Sequence, residues 1–224
     1  HLMCDAKNEE VISRLRHRKK RPDKPLALMM KNKSTVKNYC FFNKEEKNIL
    51  KGNRKPILLL NKRREKLPPN IAPGSKYYGV MLPYTPLHYW LFSGNLEVLI
   101  ASSANISSNQ LEYKNESAVS NLKNIADFFL LHNRKIHIPI DDSVVRVMKG
   151  RKRFLRRARG YVPTPIRIIG LKEGLAVGGE QKNTICISRG EYAFLSQHLG
   201  TLKRDAVFNN YKFIIDHFKK LYNL

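Results

Sequence analysis

Two short stretches of this chain carry the residue types best suited to chemistry on a phosphate. Lys19, Lys20, Arg21 and Lys24 concentrate fixed positive charge within residues 19–25, where Pro22 and Pro25 stiffen the backbone. Ser102, Ser103, Ala104, Asn105, Ile106 and Ser107 follow an apolar run at 98–101. Cations on one loop and small hydroxyl and amide groups at a strand end together suit a nucleoside triphosphate. Each half has a plainer reading. Lys19 and Lys20 sit where a helix C-terminus favours cations anyway, and Ser103 with Asn105 can form an ordinary turn.

Such a set would suffice for adenylation of a small acid. An acid that is already anionic needs no general base to attack the α-phosphorus of ATP. The obstacle is repulsion between two anions, which fixed cations and Mg²⁺ relieve while holding the reactants in line. Lys19, Arg21 and Lys24 would form the cationic clamp, with Arg21 offering a planar fork and Lys a movable point charge. Ser103 and Asn105 would supply a donor and an acceptor. Asp141, Asp142 and Ser143 read either as a cap before a strand or as a carboxylate pair for Mg²⁺. No G-x-x-x-x-G-K-[ST] loop and no G-x-S-x-G elbow occurs, so neither P-loop nor serine-hydrolase chemistry is supported.

The composition fits an anionic ligand. With 42 Lys+Arg against 18 Asp+Glu the formal net charge is +24, densest at residues 14–24, 62–66 and 151–159. Three cysteines, Cys4, Cys40 and Cys186, are odd in number and lack C-x-x-C spacing. They speak for a reducing compartment and against a disulfide framework or a cysteine zinc site, and cytoplasmic is the default location. No apolar run approaches the ~18 residues a membrane span needs.

Several elements must position these residues. Asn8 before Glu9 and Glu10 opens a helix that Pro22 stops. Residues 26–30, 56–60, 79–82 and 98–101 read as strands. Asn43 with Glu46 is a capping-box pair, and Gly52 ends that helix. Thr85-Pro86 opens a helix through Phe92, Asn115-Glu116 caps another, and 128–131 reads as a strand. Lys149-Gly150 turns a hairpin between 144–148 and 153–157. Beyond a Pro- and Gly-punctuated boundary at 163–173, residues 175–179 and 184–188 form a second hairpin. An amphipathic helix at 208–222 closes the chain. The mix predicts an α+β, or mixed α/β, fold.

The pairing of Lys19-Lys20-Arg21-Pro22 with Ser103-Ala104-Asn105 resembles the K-x-R and S-x-N signatures of the YrdC-like family, which makes carbamoyl or threonylcarbamoyl adenylates. HLMCDA at 1–6, LPYTPLH at 82–88, LLHNR at 130–134, DDSVVRV at 141–147 and RGYVP at 159–163 are similar to one branch, the HypF-like hydrogenase-maturation carbamoyltransferases. LAVGGEQKNTICISRG and FLSQHLGTLK resemble the opening of that branch's actin-like transferase domain.

The resemblance implies a fragment of a larger enzyme. Residues 1–168 would be a YrdC-like twisted open sheet with flanking helices, and 169–224 the incomplete actin-like segment. The first would convert carbamate, released from carbamoyl phosphate elsewhere in the enzyme, and ATP into carbamoyl adenylate. The carbamoyl group would pass to the C-terminal cysteine of HypE. By the match, Lys19, Arg21, Ser103 and Asn105 bind ATP and the adenylate, Ser143 and Arg159 assist, and the fragment alone performs no complete transfer. Two alternatives stand beside this reading: a threonylcarbamoyl-adenylate synthase serving tRNA modification, and a non-catalytic module for double-stranded RNA. Met81 stands where such synthases usually place Arg.

Overall fold

A computed structural model describes residues 1–63, 66–106 and 110–223. Ser107, and Arg64 and Glu65 of the basic run at 62–66, lie outside the described residues. The strands are β1 (Leu2–Asp5), β2 (Ala27–Met30), β3 (Cys40–Phe41), β4 (Ile57–Lys62), β5 (Tyr77–Met81), β6 (Val98–Ser102), β7 (Val144–Met148), β8 (Arg151–Arg156), β9 (Ile166–Arg167), β10 (Gly174–Val177), β11 (Ile185–Arg189) and β12 (Tyr192–Leu195). The helices are α1 (Glu9–Lys19), α2 (Lys33–Tyr39), α3 (Lys44–Lys51), α4 (Pro86–Leu91), α5 (Asn115–Leu122) and α6 (Asp205–Tyr222).

Eight strands form one mixed sheet in the order β1-β6-β2-β5-β4-β7-β8, with β3 on β4. The pairs β2–β5 and β4–β7 are parallel and the rest antiparallel. Alternate residues of the central strands feed two apolar layers, as a period of two requires. Leu28, Met30, Val80, Val98 and Ile100 share the larger one with Ile12 and Leu15 of α1, Val36 of α2 and Leu50 of α3. Met29, Met81, Leu99 and Ala101 face the other way and are covered more thinly, by Phe92 and Leu91 beyond and on α4. The sheet curls over this thin side. His1, at the start of β1, hydrogen-bonds Asp142 at 2.9 Å, although four strands separate β1 from β7 in the sheet order.

Local signals govern the helix ends. The Asn8 side chain accepts from the Val11 N–H at 3.1 Å, and Asn43 and Glu46 exchange both bonds of a capping box. Helix α1 stops two residues before the proline, because Lys20 takes a left-handed conformation with φ 52°. Three sequence expectations need correction. Asn115 does not cap α5; Lys114 stands at the cap, and the Asn115 amide instead donates to the His132 carbonyl at 2.7 Å. Residues 128–131 are not a strand: Phe128 is 93% exposed, and Phe129 is the one of the four that packs on the core. Helix α2 was not foreseen, since Thr35 and Val36 lower its helical propensity; Asn32, accepting from the Thr35 N–H at 2.9 Å, is its start signal.

A second, antiparallel sheet runs β10-β11-β12-β9. Ile185 and Ile187 of β11 pack with Leu199 against Ile214 and Phe218 of α6. The hairpins at β7–β8 and β10–β11 and the face of α6 follow the sequence pattern. β9 at Ile166–Arg167, just before the boundary expected at 168/169, is hydrogen-bonded to β12 of this sheet.

Candidate functional site

Helix α1 exposes the logic of the site. Its buried residues are Ile12, Leu15, Arg16 and Lys19, so two cations occupy the inward stripe where apolar residues belong. Burying a charge is costly unless it is paired or hydrogen-bonded. Both are bonded, and each organises a loop.

Arg16 donates from Nη1 to the carbonyls of Arg21, Pro22 and Lys24 at 2.8, 2.7 and 3.2 Å. Its Nε and Nη2 reach the carbonyls of Asn70 and Ile71 at 2.5 and 3.1 Å. The guanidinium thereby gathers the cationic loop into one shape and fastens it to the segment before β5. Residue types alone did not mark Arg16, but its i, i+4 place behind Ile12 on a buried stripe is a legible signal.

Lys19 is fully buried at 0% exposure and crosses to the other loop. Its Nζ donates to the Ser103 carbonyl, to the Asn105 carbonyl at 2.8 Å and to Asn105 Oδ1 at 3.2 Å. Ser103 Oγ donates to the same Oδ1 at 2.7 Å. Burial, then the Arg21 guanidinium, pulls the Lys19 pKa from 10.5 down to about 7, against the opposing pull of Asp141. The two loops singled out in the sequence therefore meet at this ammonium.

Arg21 is half-buried, its Nη2 on the Pro25 carbonyl at 2.8 Å and its Nε on that of Lys24 at 3.4 Å. Burial first, then Arg16 and Arg156, lowers its pKa, and Asp141 again opposes them. Lys24 is exposed at the rim. Asp141 is thus the carboxylate that faces the cations of the site, and its Oδ2 lies 3.4 Å from Arg156 Nη1.

Ser143 and Arg159 are brought together for a different task. Ser143 is wholly buried; its hydroxyl donates to the Arg159 carbonyl at 2.9 Å and accepts from the Ala158 N–H at 2.8 Å. Arg159 lies over the Tyr84 ring at 3.6 Å and bonds Asp142 Oδ1 at 2.6 Å and the Lys55 carbonyl at 2.7 Å. These groups tie β7 to the segment beyond β8. Burial opposes the Asp142 carboxylate, but His1 and Arg159 outweigh it and hold its pKa below 3.8. Both aspartates are ion-paired, Asp141 with Arg156 and Asp142 with Arg159. Each carboxylate is committed to its own cations, and among the described residues no group of three His, Cys, Asp or Glu is placed to hold a metal. A groove of about 190 Å³ opens between β1, α1 and residues 125–128, but Lys19, Arg21, Ser103 and Asn105 do not line it.

Residues 1–158 match the family model Sua5/YciO/YrdC, whose description reads telomere recombination. The chain belongs to that family. Residues 171–224 match a second family model, the HypF Kae1-like domain. Over its whole length the chain is 44% identical to the carbamoyltransferase HypF of Synechocystis, of which it spans 30%. Full-length HypF solved in a phosphate- and nucleotide-bound form superposes with a TM-score of 0.95 at 43% identity, covering 100% of this chain and 36% of that one. Sua5 of P. abyssi, at TM-score 0.60 and 21% identity, covers 73% of this chain and 47% of its own, and shares the Sua5/YciO/YrdC fold. Among the described residues no helix is long and apolar enough to cross a membrane.

Proposed function

We propose that this chain is the adenylate-forming part of a HypF-like carbamoyltransferase, joined to the beginning of the domain that passes the carbamoyl group on. The observation that carries the reading is the Lys19 ammonium, which binds the cationic loop to the Ser103–Asn105 loop at a strand end. Similarity to HypF over the whole chain supports it. Sua5 shares the fold alone, so threonylcarbamoyl-adenylate synthesis is the weaker reading.

In the proposed step an oxygen of carbamate attacks the α-phosphorus of ATP. The new P–O bond replaces the bond to the β-phosphate, and pyrophosphate leaves with its electron pair. Arg21 meets the phosphates with a planar fork, while Lys19 is held in position by its bonds to the Ser103–Asn105 loop and adds its charge as the triphosphate raises its pKa. Lys24 guides the triphosphate from the rim, and Mg²⁺ arrives on the triphosphate as part of the substrate. Delivery of the carbamoyl group to the HypE cysteine belongs to the whole enzyme, as does cytoplasmic location. The division into residues 1–165 and 166–224 is likewise proposed, from the pairing of β9 with β12.

Two outcomes test this. The full-length parent will exchange labelled pyrophosphate into ATP only when carbamate is present; a folded parent that shows no exchange, or exchanges with threonine instead, refutes the assignment. Nucleotide binding will also take up protons at pH 8. Lys19, with a pKa of about 7, is mostly neutral there, and an adjacent triphosphate raises that pKa and recharges it. Affinity accordingly weakens as pH rises past 7. Calorimetry in buffers of differing ionisation enthalpy reads the uptake, and identical heats in all buffers contradict it.

A further inference from the structure

The second sheet reaches into the site of the first. His198 Nδ1 lies 3.3 Å from Asp141 Oδ2, the same oxygen that Arg156 approaches at 3.4 Å. Facing a carboxylate, Nδ1 carries the ring proton. We infer that His198 is a positioning residue for the phosphate-binding cations: it fixes the Asp141 carboxylate beside Arg156, where its charge acts on Lys19 and Arg21, so the nucleotide site is completed by a residue of the Kae1-like segment.

The loop carrying His198 is built to hold a position. The Ser196 N–H donates to the Ile185 carbonyl at 2.8 Å, while Ser196 Oγ accepts from the Ile185 N–H at 3.0 Å. On the far side the Leu199 N–H donates to the Asn183 carbonyl at 2.8 Å. Asp141 is anchored from the same direction. Ile138, three residues before it, packs into the core of Ile185, Ile187, Ile214 and Phe218, and the His137 ring lies 5.4 Å from that of His217. The segment leading to Asp141 therefore rides on the second sheet while its carboxylate serves the first.

The electrostatic consequence has a definite sign. Asp141 opposes the forces that lower the pKa values of Lys19 and Arg21, so it keeps them charged. It also competes with phosphate for those cations. Hydrogen bonding by His198 holds the carboxylate in place and satisfies part of its charge; without it, Asp141 loses its fixed position relative to Arg156 and to the cations whose charge it supports.

This inference rests on the nucleotide reading above, and one titration separates the two. α,β-Methylene-ATP is titrated calorimetrically into the 224-residue chain and its variants, with thermal melts alongside. His198→Ala is expected to raise Kd about fivefold, within the range of coupled neighbouring residues. His198→Asn, which can place an N–H near the Nδ1 position, restores affinity to about twofold of wild type, whereas His198→Gln does not. In an Asp141→Asn background His198→Ala changes Kd by less than about twofold, because there is no carboxylate left to position. An equal loss in both backgrounds shows general damage to the second sheet and overturns the inference, as does an unchanged Kd in His198→Ala. Should His198→Ala fail to melt cooperatively, the Asn and Gln variants carry the same comparison. A wild-type chain that binds no nucleotide overturns the nucleotide reading and this inference together.

Discussion

Lys19→Ala is expected to weaken nucleotide binding by roughly 1–3 kcal/mol, about 5- to 150-fold in Kd, and to abolish pyrophosphate exchange in the parent. The size follows from the geometry. One ammonium serves three oxygens of the Ser103–Asn105 loop, so its loss removes a charge and leaves the Ser103 and Asn105 carbonyls without that donor. Lys19→Arg is not a remedy, because a planar fork cannot reproduce three donors diverging from one buried atom. The direction of the companion effect on stability is also fixed. A carbonyl deprived of its donor in a buried place costs about 1–3 kcal/mol, so the variant melts lower as well. Titration of a fluorescent ATP analogue reads the first effect. An affinity within about twofold of wild type would remove Lys19 from the site.

Arg159→Ala is expected to act on folding instead. Its guanidinium is the closer partner of the Asp142 carboxylate, at 2.6 Å against 2.9 Å for His1, and it also holds the Lys55 carbonyl. Removing it leaves the buried Asp142 carboxylate with His1 as its remaining ion-pair partner, which costs roughly 1–3 kcal/mol. For a chain of this length that corresponds to a fall in Tm of about 2–12 °C. Asp142→Asn in the same background relieves part of the loss, because the buried charge disappears. Nucleotide affinity at a temperature where the variant remains folded stays close to wild type. If Arg159→Ala melts normally yet loses nucleotide, the residue belongs to the binding site and its assignment here is wrong.

Much of the site was legible because charge on short loops is legible. Lys19, Arg21, Ser103 and Asn105 stand out by residue type, and their convergence needs only that α1 and β6 end on the same side of the sheet. Side-chain direction could not be read in the same way. Ser143 and Arg159 stand in motif strings, but that the hydroxyl bonds backbone and the guanidinium meets Asp142 and Tyr84 is not written in those strings. Arg16 looked like one more residue of a basic run, and only its place on the buried stripe of α1 distinguishes it.

Elements with their own end signals were similarly accessible. The Asn8 and Asn43 caps and the Lys149-Gly150 turn mark α1, α3 and the β7–β8 hairpin. Residues 128–131 misled for the opposite reason. Four consecutive apolar residues suit a buried strand, but the pattern cannot say whether a sheet edge is there to receive them, and Phe128 and Leu130 end up exposed. The contact of His198 with Asp141 spans 57 residues and joins two sheets, so local sequence carries no trace of it.

The central claim is that the two loops tied by Lys19 receive the phosphates of ATP. Its most direct test is a crystal structure of this chain with α,β-methylene-ATP. The triphosphate is expected within hydrogen-bond distance of the Arg21 guanidinium and of the loop at Ser103 and Asn105, with Arg21 turned away from the Pro25 carbonyl. A nucleotide seated in the groove along β1 instead, with Arg21 still on Pro25, would contradict it.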